Sequence, residues 1–275
     1  MLKFRLRDNM ENPNANKEIL SRFGFRFEKG NTHAARSMML EELETLLSCV
    51  RNPDSSKSDY RRAIVEENCL GKRSEESRKI TNMHLGFLYA LDPGVTIFRA
   101  LRYFWERDVD GRPLLALLSA YSRDGLLRMS APLVLPLTEG ETFHREVLEE
   151  YIYKKEPSRF SESSLKATVR NLGATWTKSG HLVQKETKIR SRALATAGSV
   201  SYALFLGYLV GVRGESLFST DFARLLDCSV SRSIELAEGA SRRGWITFKR
   251  IGKILEVQFP NLLTAQERER IHEQD

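Results

Sequence analysis

The residues that could do acid–base, nucleophilic or metal chemistry are scattered along this sequence. His33, His84, His144, His181 and His272 lie far apart, and none stands in metal-ligand spacing with another. Each reads as a surface histidine or a core histidine satisfied by hydrogen bonds. The one grouping suited to proton transfer is His144 with Glu141 and Glu146, and a helix surface accounts for it. Cys49, Cys69 and Cys228 are odd in number and lack a C-x-x-C pair, so neither a disulfide framework nor a zinc site is expected. A reducing cytoplasm suits them. There is no G-x-x-x-x-G-K-[ST], no G-x-G-x-x-G after a strand and no H-E-x-x-H. The expectation is a protein that is not an enzyme, with no cofactor, no metal and no small-molecule substrate.

What the spacing does supply is cations. Lysine and arginine number 43 against 36 acidic residues, a formal charge of +7 that suits a polyanionic partner. Between Ser229 and Lys253, the cations Arg232, Arg242, Arg243, Lys249, Arg250 and Lys253 face only Glu235 and Glu238. A second basic stretch runs from Lys154 to Arg192. Within it Lys166 and Arg170 are four apart on one helix face, placed to track a phosphate backbone or to sit as a solvated surface. Such side chains neutralise phosphates and release counterions, which gives affinity for double-stranded DNA without reading its sequence.

The elements that must position these cations are legible over residues 216–260. Ser219 or Thr220 can cap a short helix carrying Phe222, Leu225 and Leu226. A tight Asp227-Cys228-Ser229 turn follows, and Ser229 can cap a second helix with Val230, Ser231 and Arg232 in its exposed first turn. Gly244 suits the left-handed residue after that helix, and Gly239 within it suggests close packing. WITFKR and KILEVQF then alternate as two strands around Ile251-Gly252. Helix, turn, helix and hairpin in this order predict a winged helix-turn-helix. Its first turn would bring Ser229, Ser231 and Arg232 toward base edges, with Arg242, Arg243, Lys249, Arg250 and Lys253 on phosphates. Such a unit also serves in other proteins as a docking module for a protein partner.

Upstream, residues 1–33 read as an N-terminal arm, with LKFRLR and FGFRFEK extended on either side of a polar stretch. A helical domain is expected over 34–156, with helices from Ala34, from Asp59 to Asn68 and from Ser74, then in VTIFRALRYFWERD, RPLLALLSAYSRDG and ETFHREVLEEYIYKK. The Glu156-Pro157-Ser158 break opens a second helical domain, 157–275, whose first helix runs from Ser161 through Trp176 to Gly180. Residues 193–212 carry no charge and include Gly207 and Gly211 in G-x-x-x-G spacing. Because Thr196, Gly198, Ser199 and Ser201 interrupt this run, it reads as a core helix and no membrane partner is expected. The first residues have no apolar run of the kind a secretory signal needs. The fold class is therefore mostly α: a two-lobed helical bundle with a C-terminal winged helix-turn-helix carrying a small β-hairpin.

Two stretches carry a family resemblance. Glu67-Asn68-Cys69-Leu70, followed by Ser74 to Arg78 and by Leu85, Leu88 and Tyr89, is one. Ser161 to Lys166, running through Leu172 to Gly180 and Leu182, is the other. In these the chain resembles the BrxA family of BREX bacteriophage-exclusion systems, from which it departs where His181 stands between Gly180 and Leu182. The resemblance implies a nearly all-helical protein of two lobes, similar in part to the antitermination factor NusB. It also implies a non-enzymatic protein that binds double-stranded DNA beside other BREX proteins. The hairpin unit lies outside these stretches and rests on its own residues.

Overall fold

The computed structural model describes residues 13–27, 32–252 and 254–272. Among these residues the first helices are α1 (Pro13–Phe23), α2 (Leu40–Cys49), α3 (Lys57–Val65), α4 (Glu75–Tyr89), α5 (Thr96–Arg107), α6 (Arg112–Arg123) and α7 (Gly125–Val134). Next come α8 (Arg145–Lys155), α9 (Glu162–Lys178) and a short antiparallel hairpin of β1 (Leu182–Gln184) and β2 (Lys188–Arg190). The remainder is α10 (Ala197–Leu209), a 3-10 segment over Gly214–Ser219, α11 (Asp221–Arg224), α12 (Val230–Arg242), the antiparallel pair β3 (Thr247–Ile251) and β4 (Ile254–Gln258), and α13 (Ala265–His272). The protein is mostly helical.

Hydroxyl caps set many of the helix starts. Ser56, Ser74, Ser161, Thr196, Thr220 and Ser229 each accept from the backbone N–H three residues on, satisfying a donor that has no partner within its helix. The uncharged stretch becomes α10, whose residues are buried apart from Tyr208, and it packs against α5, α6, α11 and α12. Gly207 permits this packing, because a Cβ there would lie 3.1 Å from both Leu217 and Thr220, and Gly211 (φ 87°) ends the run. No helix among the described residues is long and apolar enough to cross a membrane. One buried apolar cluster runs from Leu20 to Ile271 and joins side chains from both sides of the Glu156-Pro157 break.

Several local expectations need correction. Pro13–Phe23 is helical, not part of an extended arm, because Leu20 and Phe23 have a buried surface to cover. LKFRLR lies outside the described residues, and Phe25 to Phe27 form no strand. The helix expected from Ala34 starts only at Leu40: Thr32–Ala34 is a 3-10 turn, and Met39 has φ 52°, which no α-helix continues through. The Asp59–Asn68 helix spans Lys57–Val65 instead, and Asn68 has φ 52°. Gly239 is not a close-packing glycine, since a Cβ there would meet only the Arg242 guanidinium, at 3.9 Å.

Candidate nucleic-acid interface

The unit built from α11, α12, β3 and β4 begins at Thr220, whose Oγ1 accepts from Ala223 N at 3.1 Å. Phe222, Leu225 and Leu226 are buried below it. The chain then turns at Asp227, a non-glycine residue with φ 56°. Aspartate tolerates this conformation better than most residues, and here the side chain is also held from outside the turn. Arg190 binds both carboxylate oxygens, at 2.8 and 2.5 Å, and Ala193 N–H donates to Oδ2 at 3.0 Å. Burial pushes the Asp227 carboxyl up, but these donors outweigh it and hold the group below its ordinary range.

Beside this pair His181 is sealed from solvent. Its Nε2 lies 3.1 Å from the Leu225 carbonyl, which can only accept, so Nε2 carries the hydrogen and Nδ1 accepts from Ser179 Oγ at 2.9 Å. Burial, and then the nearby Arg190 charge, depress the imidazole to about 4, against the opposing pull of Asp227. It is a neutral core histidine, in the inward-facing way the sequence allowed. His33 is buried too, with Nδ1 2.9 Å from Asp124 Oδ2 and Nε2 2.8 Å from Thr175 Oγ1. Among the described residues no three His, Cys, Asp or Glu side chains are gathered to hold a metal ion.

Ser229 caps α12 through Arg232 N at 3.2 Å, which leaves Val230, Ser231 and Arg232 exposed in the first turn. At 100° per residue, Ser231, Glu235, Glu238 and Arg242 form one outward stripe, with Arg232 beside it. The stripe is not uniformly basic. Arg232 is bound to Glu235 at 2.9 Å, so two carboxylates occupy the middle and free cations lie at the C-terminal end. Arg242 and Arg243 are exposed there, about 16 Å along the axis from Ser231, and Arg243 sits 5.1 Å from the centre of the Trp245 ring.

The hairpin leans on this helix. Phe248 N–H donates to Ser241 Oγ at 3.1 Å, and the Phe248 ring meets Phe218 edge-on at 6.1 Å. Lys249 faces Glu256 and Arg250 faces Leu255 across the ladder. Successive strand residues point to opposite faces, so these exposed cations project from opposite sides of the hairpin. Ile254, near the tip, is 73% exposed. Lys253 lies outside the described residues. Arg242, Arg243, Lys249 and Arg250 form no ion pair among the described residues.

On α9, Lys166 is exposed but tied to Glu162 at 2.6 Å, while Arg170, one turn on, is exposed without such a pair among the described residues. This helix packs against α7, α8 and β1, so the fold does not lay its cations directly against α12. What the sequence reading missed is the β1–β2 hairpin that carries Arg190. Its strands are three residues long, too short to show a clear alternation. Comparison of the chain with protein-family models gives no match, and a search of the curated proteins gives none.

Proposed function

We propose that the chain is a non-enzymatic double-stranded DNA-binding protein, with α11, α12 and the β3–β4 hairpin acting as a winged helix-turn-helix. One observation carries the reading: Arg242 and Arg243 at the end of α12, and Lys249 and Arg250 on β3, are exposed and free of acidic partners among the described residues. Guanidinium and ammonium groups held this way bind phosphates and displace counterions. The open first turn of α12 offers Ser231 and Arg232 to base edges, while Glu235 and Glu238 add no phosphate affinity. Affinity in this reading comes mainly from the backbone, with modest base selection.

The resemblance to the BrxA family extends the proposal to a cytoplasmic accessory role in BREX-type antiphage defence, beside other BREX proteins. A second reading, a scaffold whose winged unit docks a protein partner, is favoured by Ile254, a large apolar side chain held out in solvent at the hairpin. Fluorescence anisotropy with random duplex and single-stranded oligonucleotides across a salt series separates the two. The DNA reading expects duplex binding near physiological salt, with log Kd rising linearly in log salt. Absence of duplex binding at that salt would leave only the scaffold.

A further inference from the structure

An open groove of about 900 Å³ runs between the α7–α8 loop and the turn that joins α11 to α12. Its size lies within the range of about 300–1,000 Å³ usual for small-molecule sites. Ala131, Pro132, Leu135 and Leu137 give it an apolar wall. The acids of the lining are already matched. Asp227 is held by Arg190, Glu139 lies 3.1 Å from Arg192, and Asp221 lies 3.7 Å from Arg224.

Several donors at the groove remain without a partner. Tyr121, a residue 3% exposed, lines the groove, and its hydroxyl makes no hydrogen bond among the described residues. The ring is fixed edge-on against Phe222, at 6.0 Å between centroids. Ser229, the last lining residue, caps Arg232 N–H, and beyond it the exposed Val230 and Ser231 N–H groups at the positive end of a 13-residue helix have no acceptor among the described residues. The Arg190 Nε–H is likewise buried without an acceptor. Unmatched donors over an apolar wall call for a molecule that brings acceptors at one end and hydrocarbon at the other.

We propose that this groove binds a small amphipathic acid: a carboxylate or phosphate head toward Tyr121 and the start of α12, with its apolar body on Leu135 and Leu137. Arg224 and Arg192 stand at the rim. Both are mostly exposed, and so are free to turn from their carboxylates toward a ligand. The site binds and does no chemistry. It does not depend on the DNA reading: a chain that takes the acid but no duplex would support it equally.

Isothermal titration of the full chain with phenyl phosphate and with phenylacetate tests the site, against benzyl alcohol, which has the ring but no charge. The expected result is saturable one-to-one binding of at least one acid, with benzyl alcohol weaker by about tenfold or more. Tyr121→Phe removes only an unpartnered hydroxyl and should fold normally, yet weaken the acid by about tenfold. Leu137→Trp, which fills the groove, should abolish binding. The proposal is overturned if neither acid saturates, if benzyl alcohol binds as well, or if both variants bind like the parent, which would place the bound acid outside this groove.

Discussion

Arg190 and Asp227, 37 residues apart, form a two-pronged ion pair at 2.8 and 2.5 Å that ties strand β2 to the turn ahead of α12. The arginine is 5% exposed on its side chain and the aspartate 14%, so neither charge could be left alone cheaply. The pair fixes a turn whose backbone is left-handed at Asp227. Asp227→Ala is expected to destabilise the protein by about 3 kcal/mol, through the stranded guanidinium and the loss of a residue suited to that φ. Urea unfolding measures this. Arg190→Met combined with Asp227→Asn should recover part of the loss, because no buried charge remains. A double variant as unstable as Asp227→Ala alone would deny the pair this role.

Replacing Lys249 and Arg250 together by Gln should weaken binding to every duplex sequence and reduce the salt slope by about 2, close to one unit per lost phosphate contact. Glutamine is preferred to glutamate here, since Lys249→Glu would set two carboxylates opposite each other across the ladder with Glu256. Because the two side chains leave the hairpin on opposite faces, the single replacements should differ in effect. Anisotropy at several salt concentrations reads both quantities. A double variant with unchanged slope would remove the hairpin from the DNA contact.

The legible parts of this fold are those in which local chemistry decides. Ser74, Ser161 and Ser229 announce their helices because a hydroxyl ahead of an apolar series has an N–H to cap, and each does so in the structure. The strands β3 and β4 follow from alternation, and Gly252 (φ 61°) from the turn between them. The parts that were not legible depend on distant partners. Helix α7 opens on Asp124, which accepts from Leu126 N–H and Leu127 N–H while holding His33, 91 residues away. The free cations near α12 could be named from the sequence. Their division between two hairpin faces, and the carboxylates between the arginines, needed the register and the helix wheel.

Acid should find His181. Its folded value of about 4 lies below the 6.5 of an exposed imidazole, so the unfolded chain takes up the proton first as pH falls. The stability tied to keeping it neutral is whole above pH 6.5 and is lost as pH falls toward 4, by about 3 kcal/mol in all. Asp227, with its carboxyl depressed, adds to the loss as pH falls from the ordinary carboxylate value through its lower folded one. Replacing His181 by Gln, which keeps a donor for the Leu225 carbonyl, should flatten the stability curve between pH 6.5 and 4 while costing some stability at pH 7. Chemical denaturation at stepped pH checks this, and an unaltered slope in that window would count against a neutral buried imidazole.

Glu267 fastens α13 to the start of α5. Its carboxylate accepts from Thr96 Oγ1, from Arg99 Nη2 at 2.8 and 2.6 Å and from Thr264 N at 2.7 Å. Burial pushes this carboxyl up, but the Thr96 hydroxyl, the Thr264 N–H and Arg99 together hold it below its ordinary value. A depressed carboxylate stabilises the fold above its unfolded pKa and stops doing so as pH falls through the folded one, so the clamp should open only in acid. Glu267→Gln removes the charge and keeps the shape, at an expected cost of about 2 kcal/mol at pH 7. Because Leu262, Leu263 and Ile271 still bury their side chains, the loss should appear first as faster amide hydrogen exchange over residues 265–272. If those amides exchange at the parent rate while global stability falls, the glutamate supports the whole core and not this helix.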